Sequence, residues 1–313
     1  MSVTRLISAP GSVIEGYGPM ELKESIYKSE GRVLCGQHFL HGGTGLVMGI
    51  TNTELMFAFG ADMVMLNTFD LEDPASIPGM CGLTLPELKA LCRRPIGIYL
   101  GCPRQGTTSE NTADTWSLDT TTATPEHVER AIELGADFLV LGGNPGTGTT
   151  LDDVLRATTW IKERYGDDVL VWAGKWEDGI TEPVLGDPLA AAQGRDDKAV
   201  IARLIDAGAD CIDLPAPGSR GGITVECIRE LVTYVHSYKP GTLAMCFLNS
   251  SVEGSDVDTI REITLLMKQT GADIHCIGDG GFGYASTPEN VHQMSITLKG
   301  KNYTYWRMAS VNR

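Results

Sequence analysis

Four short segments of the chain share one pattern of polar and apolar positions. Gly60-Ala61-Asp62 leads into MVMLN, Gly135-Ala136-Asp137 into FLVLGG, Gly208-Ala209-Asp210 into CIDLP, and Gly271-Ala272-Asp273 into IHCIG. In each, a glycine able to take the left-handed conformation ends a helical pattern, and an apolar run rich in β-formers follows. The glycines stand 75, 73 and 63 residues apart. That is about twice a strand-plus-helix unit of roughly 30 residues, so a further strand belongs in each interval. Val33-Leu34-Cys35, Pro95 to Leu100, Val169 to Ala173 and Leu243 to Phe247 supply these strands. Eight strands alternating with helices predict an α/β fold with a parallel sheet, closed as a (β/α)8 TIM barrel. A doubly wound open sheet is the alternative, and a two-unit repeat kept along the whole chain favours closure.

Local signals agree with this frame. Thr51 and Glu54 form a capping box at one helix start, Thr150 caps another, and Thr287-Pro288 opens the last. Ser255 is the expected cap of the helix before the final strand. Met20 to Glu30 reads as a short N-terminal helix that covers the bottom of the barrel. Lys299 to Arg313 reads as an aromatic C-terminal tail, with Tyr303, Tyr305 and Trp306, packed on its own barrel or on a neighbouring subunit. A homo-oligomer is therefore expected. No low-complexity linker divides residues 1–313, which are read as a single domain.

The two ends of the barrel differ in loop length. Helix-to-strand connections are mostly the Gly-Ala-Asp type, whereas strand-to-helix connections extend well beyond the usual length of about two to six residues. The Thr-rich stretch from Gln105 to Thr124 reads as a binding loop or lid. In a barrel of this kind the C-terminal ends of the strands carry the active site.

Composition narrows the partners. The 313-residue chain is 42% hydrophobic and 21% charged, with a net charge of −15. Such an acidic chain disfavours nucleic acid or an anionic membrane as partner, because both need clustered Lys and Arg. A small anionic substrate would need local positive charge or helix ends. The eight cysteines form no CxxC pair. Four of them, Cys35, Cys211, Cys246 and Cys276, fall on predicted strands as small hydrophobes. With no leader and no long apolar run, a reduced, cytoplasmic protein is expected.

Candidate chemistry gathers at the predicted strand ends. Lys175 is the one lysine directly at a strand end, where desolvation would let it act as base or Schiff-base nucleophile; the alternative is a charged lysine holding an oxyanion or pairing with Glu177. Asp213 and Glu177 are candidates for proton transfer, and His38 joins them as a loop histidine. Asp213 and Asp279, with Glu177, are candidate ligands of a divalent metal such as Mg²⁺. Asp279, Gly280, Gly281 and Gly283 form a glycine turn before a helix start, an expected phosphate site. Asn67, Arg104, Asn144 and Asn249 are expected to contact substrate. No HExxH, GxSxG or GxGxxG motif with the right context is present.

The segments SEGRVLCGQ, TNTELMFAFGADMVMLNTFD, GNPGTG, VWAGKWEDGITEPV, TYVHSYKPG, DTIREI, GADIHCIGDGGFG and KNYTYWRMA resemble a bacterial (β/α)8-barrel family. Its members are loosely labelled phosphoenolpyruvate phosphonomutase-like, sometimes haloacid dehalogenase-like, and often occur beside sugar-transport operons. The resemblance spans roughly Ser29 to Arg313 and implies small-metabolite chemistry. A true phosphonomutase carries a Lys-Lys-Cys-Gly-His loop, which this chain lacks; Cys102-Pro103-Arg104 is the nearest segment, so no catalytic residue carries over. The expected function is a lyase of aldolase type or an isomerase acting on a phosphorylated or carboxylated, sugar-derived substrate. A non-catalytic sugar-phosphate-binding or regulatory barrel is the alternative, and a flavin-dependent oxidoreductase is a third.

Overall fold

The structure is a computed structural model that describes residues 3–105, 119–177, 179, 182–279, 285–311 and 313. Eight parallel strands close into a barrel in sequence order, β1 pairing with both β2 and β8. They are β1 (Val33–Phe39), β2 (Met63–Asn67), β3 (Ile96–Gly101), β4 (Leu139–Gly142), β5 (Val171–Gly174), β6 (Cys211–Pro215), β7 (Leu243–Leu248) and β8 (Ile274–Ile277). The helices are α1 (Gly11–Ile14), α2 (Pro19–Tyr27), α3 (Asn52–Ala58), α4 (Leu85–Cys92), α5 (Pro125–Glu133), α6 (Leu151–Tyr165), α7 (Pro188–Ala192), α8 (Asp197–Asp206), α9 (Val225–Tyr238), α10 (Val257–Gln269) and α11 (Pro288–Ala309). The closed barrel expected from the repeat is thus the observed fold. Among the described residues, no helix is long and apolar enough to cross a membrane.

Each strand is buried on both faces, and alternate residues divide between two cores. Cys35, Met65, Tyr99, Val140, Trp172, Cys211, Met245 and Cys276 fill the barrel interior, closed below by Leu6, Ile7, Leu22 and Ile26 from the N-terminal segment. Leu34, Val64, Ile98, Leu141, Ala173, Ile212, Ala244 and Ile277 face the helices. All eight cysteines are free, and the four on strands are buried. Burial pushes the thiols of Cys211 and Cys276 well above their ordinary range and that of Cys246 up to about 12.

The Gly-Ala-Asp repeat is a clamp at the bottom of the barrel. Its glycines have φ of +107°, +87°, +102° and +84°, the left-handed region that ends the preceding helix. Each aspartate then exchanges two hydrogen bonds with the start of the preceding strand. Asp62 N donates to Leu34 O (2.8 Å) and Leu34 N donates to Asp62 Oδ2 (2.9 Å). Asp137 does the same with Ile96, Asp210 with Val171, and Asp273 with Ala244. Every carboxylate also meets a basic side chain: Lys299 and Arg307 on Asp62, Lys89 on Asp137, Lys23 and Lys162 on Asp210, His236 on Asp273. The most regular motif of the sequence therefore serves stability, at the end of the barrel opposite the candidate site.

Two local expectations shift. Asp256, not Ser255, caps α10, its carboxylate accepting from Asp258 N and Thr259 N. The aromatic C-terminal tail is helical: α11 bends at Gly300 (φ 74°, ψ 164°) and continues beneath the barrel. There Arg307 reaches Asp62, Ala9 O and Leu6 O, so the tail locks the N-terminal plug to its own barrel.

Candidate active site

The C-terminal ends of the strands bring three buried amides to the mouth. Asn67 ends β2, Asn144 lies two residues past β4 and Asn249 directly follows β7, and all three are buried. Asn67 Nδ2 donates to Asn144 Oδ1 (3.2 Å), bridging the mouth past β3, which ends in the side-chain-free Gly101. The backbone beside these amides is strained. Thr68, next to Asn67, has φ of +59°, and Ser250 and Ser251, next to Asn249, have +66° and +67°. A non-glycine residue held in this region costs about 1–3 kcal/mol and persists where the surroundings enforce it, often at functional sites.

A second group lies over β3 to β7. Tyr99 Oη donates to Glu177 Oε1 (3.3 Å). Trp176 stacks on Phe247 (centroids 5.2 Å apart, planes at 14°) and meets Tyr99 edge-on (6.0 Å, 83°). Gly142 makes this possible, since a methyl group there would lie 3.0 Å from both Trp176 Cη2 and Tyr99 Oη. Asp213 is in register with Gly174 and Met245. Trp176 and Phe247 each stand two residues beyond those partners, so the aromatic pair roofs Asp213. The aspartate is fully buried, and neither oxygen has a hydrogen-bond partner of good geometry among the described residues. Burial pushes its carboxyl well above the usual carboxylate range, with the Cys211 thiol opposing only in part.

Other expected residues lie apart from this group. Lys175 is buried and follows Val171 and Ala173, the helix-facing positions of β5; its Nζ donates to Thr149 O (2.7 Å), toward the loop after β4. His38 is not a loop residue. It lies inside β1 on the side facing α3, fully buried, with Nδ1 3.0 Å from Thr53 Oγ1. Burial pushes its pKa down to about 3, so it stays neutral as part of the outer core. The inward neighbour is Gln37, buried and level with Met65 of β2. Strand parity set by Cys35 would have pointed to Gln37 instead of His38. Arg104 is exposed and rests over Gly148 of the loop after β4.

At the final turn, Asp279 lies two residues beyond β8; Gly280, Gly281 and Gly283 lie outside the described residues, as do Asp178 and most of the Thr-rich loop. Thr287 caps α11, accepting from Asn290 N. Glu253, which the sequence did not single out, is buried beneath this turn: a methyl group on Gly278 would lie 2.8 Å from Glu253 Oε1. Among the described residues no cluster of three His, Cys, Asp or Glu side chains could hold a metal. Asp213 is fully buried, and no step below uses a metal.

A closed parallel barrel with long loops and polar groups at its C-terminal rim defines the chain as a (β/α)8 barrel protein. Over residues 7–313 it belongs to the DUF7916 family, a domain of unknown function. No curated protein sequence matches it. Among solved structures it is similar to an archaeal fructose 1,6-bisphosphate aldolase, at 12% identity and a TM-score of 0.53, covering 90% of this chain and 100% of the other. It is also similar to the carboxyl transferase domain of Rhizobium etli pyruvate carboxylase with pyruvate and biocytin, at 12% identity and a TM-score of 0.53, covering 96% of this chain and 52% of the other. At this identity the likeness is one of fold.

Proposed function

We propose that the protein is an enzyme, a lyase of aldolase type or an isomerase, acting at the barrel mouth on a phosphorylated or carboxylated, sugar-derived substrate. The observation that carries this reading is the coincidence of strain and buried polarity: Thr68 beside Asn67, and Ser250-Ser251 beside Asn249. Three of the six described non-glycine residues with positive φ stand beside these amides, the others being Glu30, Cys81 and Arg93, and such strain often marks functional sites. The aldolase and carboxyl transferase barrels, together with the resemblance to phosphonomutase-like proteins, make carbonyl chemistry of small metabolites the natural class, by analogy of fold.

In this reading Asn67, Asn144 and Asn249 orient carbonyl and hydroxyl groups. Glu177, held by the Tyr99 hydroxyl, removes the proton next to the carbonyl. Lys175, turned toward the helices with its ammonium on Thr149 O, takes part in no step. Asp213 is the candidate proton donor, its carboxyl pKa raised by burial. The rim cations are candidates for holding an anionic group of the substrate.

Aldolases and isomerases both labilise a proton next to a carbonyl. Solvent deuterium exchange into keto sugar phosphates and 2-keto acids, followed by NMR, therefore tests the proposal whatever the final product. Exchange by the wild type that falls at least 100-fold in Glu177→Gln is the expected result, in line with the roughly 10²–10⁴-fold contribution of a general base. Borohydride trapping with the same compounds should leave no adduct on Lys175, in line with its place away from the mouth. Thermal stabilisation by the same compounds with no exchange from any of them would refute the enzyme and favour a sensing barrel.

A further inference from the structure

We infer that Arg220, on the loop after β6, is the anchor for the anionic group of the substrate. This rests on the reading of the mouth as a site for small anions. The chain carries 40 acidic side chains against 25 Lys and Arg. Its other half-buried cations near strand ends are engaged: Lys162 with Asp210, Arg195 with Glu182 and Asp197, Lys89 with Asp137. The Arg220 guanidinium is half-buried at the C-terminal rim and has no ion-pair or hydrogen-bond partner among the described residues. A bare, partly desolvated guanidinium in so acidic a protein is costly unless an anion visits it.

The backbone around it is built to hold it there. Gly179, on the loop after β5, faces the guanidinium; a methyl group added at Gly179 would lie 2.9 Å from Arg220 Nη2. Gly218 and Gly222 flank the arginine with φ of +82° and +86°, conformations that let the loop turn back sharply on either side. Both loops rise from β5 and β6, the strands that carry Glu177 and Asp213. An anion held by Arg220 would therefore place the adjoining carbon skeleton over that sector of the mouth. At Arg220 an anion finds a planar donor suited to two parallel hydrogen bonds with a carboxylate or a phosphate.

The test is isothermal titration of the full chain with two probes, pyruvate and inorganic phosphate, using wild type, Arg220→Lys, Arg220→Gln and a control on the exposed face of α5, Arg130→Gln. Thermal denaturation checks that each variant is folded. Wild-type binding of either probe should weaken on the order of tenfold or more in Arg220→Gln, the usual weight of a charge-assisted hydrogen bond. Arg220→Lys should keep part of it and Arg130→Gln nearly all of it. Preference for pyruvate identifies the anion as a carboxylate, and preference for phosphate identifies a phosphoryl group. Undiminished binding in folded Arg220→Gln, or no binding of either probe by wild type, overturns the anchor. A failed anchor leaves the deuterium-exchange result untouched, and exchange without an anchor effect would locate the fault in the anchor alone.

Discussion

Replacing Asp213 by asparagine should alter stability in a way that depends on pH. In the unfolded chain this carboxyl has its ordinary pKa of about 3.9. In the folded barrel, burial beneath Trp176 and Phe247 raises it well above that value. A raised folded pKa means that the native state binds more protons. The aspartate's contribution is therefore intact below the unfolded pKa and is lost progressively as pH rises toward the folded one. Between the unfolded and the folded pKa the loss amounts to about 1.4 kcal/mol per pH unit. Asparagine has nearly the same shape and does not titrate, so it escapes this loss. Its amide adds an unmatched donor, at a cost of about 1–3 kcal/mol. Urea denaturation of wild type and Asp213→Asn at pH 4, 5, 6 and 7 should show a stability difference that moves steadily in the variant's favour, by up to about 1.4 kcal/mol per pH unit, until the folded carboxyl ionises. Titrations elsewhere in the chain cancel in that difference. A difference that stays flat from pH 4 to pH 7 would mean that Asp213 ionises normally, and both the burial argument and its role as a proton-bearing acid would fall.

At the opposite end of the barrel, Asp62→Ala would leave the fully buried Lys299 and Arg307 without their carboxylate and should destabilise by about 3–5 kcal/mol in chemical denaturation. The same change at Asp137, whose partner Lys89 is partly exposed, should cost clearly less, and equal losses would count against the buried network. Burial lowers the pKa of Lys299 to about 8. Its native state then sheds a proton that the unfolded chain keeps, so this lysine's contribution to stability should rise from about pH 8 toward the ordinary lysine value of about 10.4. His236 behaves in the reverse sense: its hydrogen bond to Asp273 raises its pKa, so the stability it adds is full below about 6.5 and fades as pH rises through the folded value. NMR titration of the ring should give a midpoint above that of a free histidine, and Asp273→Asn should bring it down; an unmoved midpoint would show that the contact does not form in solution.

Much of the architecture was legible because its signals are local. A left-handed glycine after a helix, an apolar run, and a threonine before the next helix each report the conformation of a few residues, and their repetition along the chain adds up to a closed ring. The candidate site was legible as a rim, from loop lengths, and less so as a set of side chains. Gln37 was hidden beside His38, Trp176 beside Lys175, and Glu253 in a loop that carried no motif.

The order of strands and helices, the closure of the barrel and the end that carries the long loops were determined by the sequence alone, since each rests on short-range backbone preference and on period. Which side chain of each neighbouring pair enters the barrel was decided only by tertiary structure. A strand buried on both faces has no polar alternation to reveal its inward side, so His38 and Lys175 turned toward the helices while Gln37 and Trp176 turned in. The aspartates of the repeat and Asp213 look alike in the chain; packing alone gave the former basic partners at the base and buried the latter with no basic partner among the described residues.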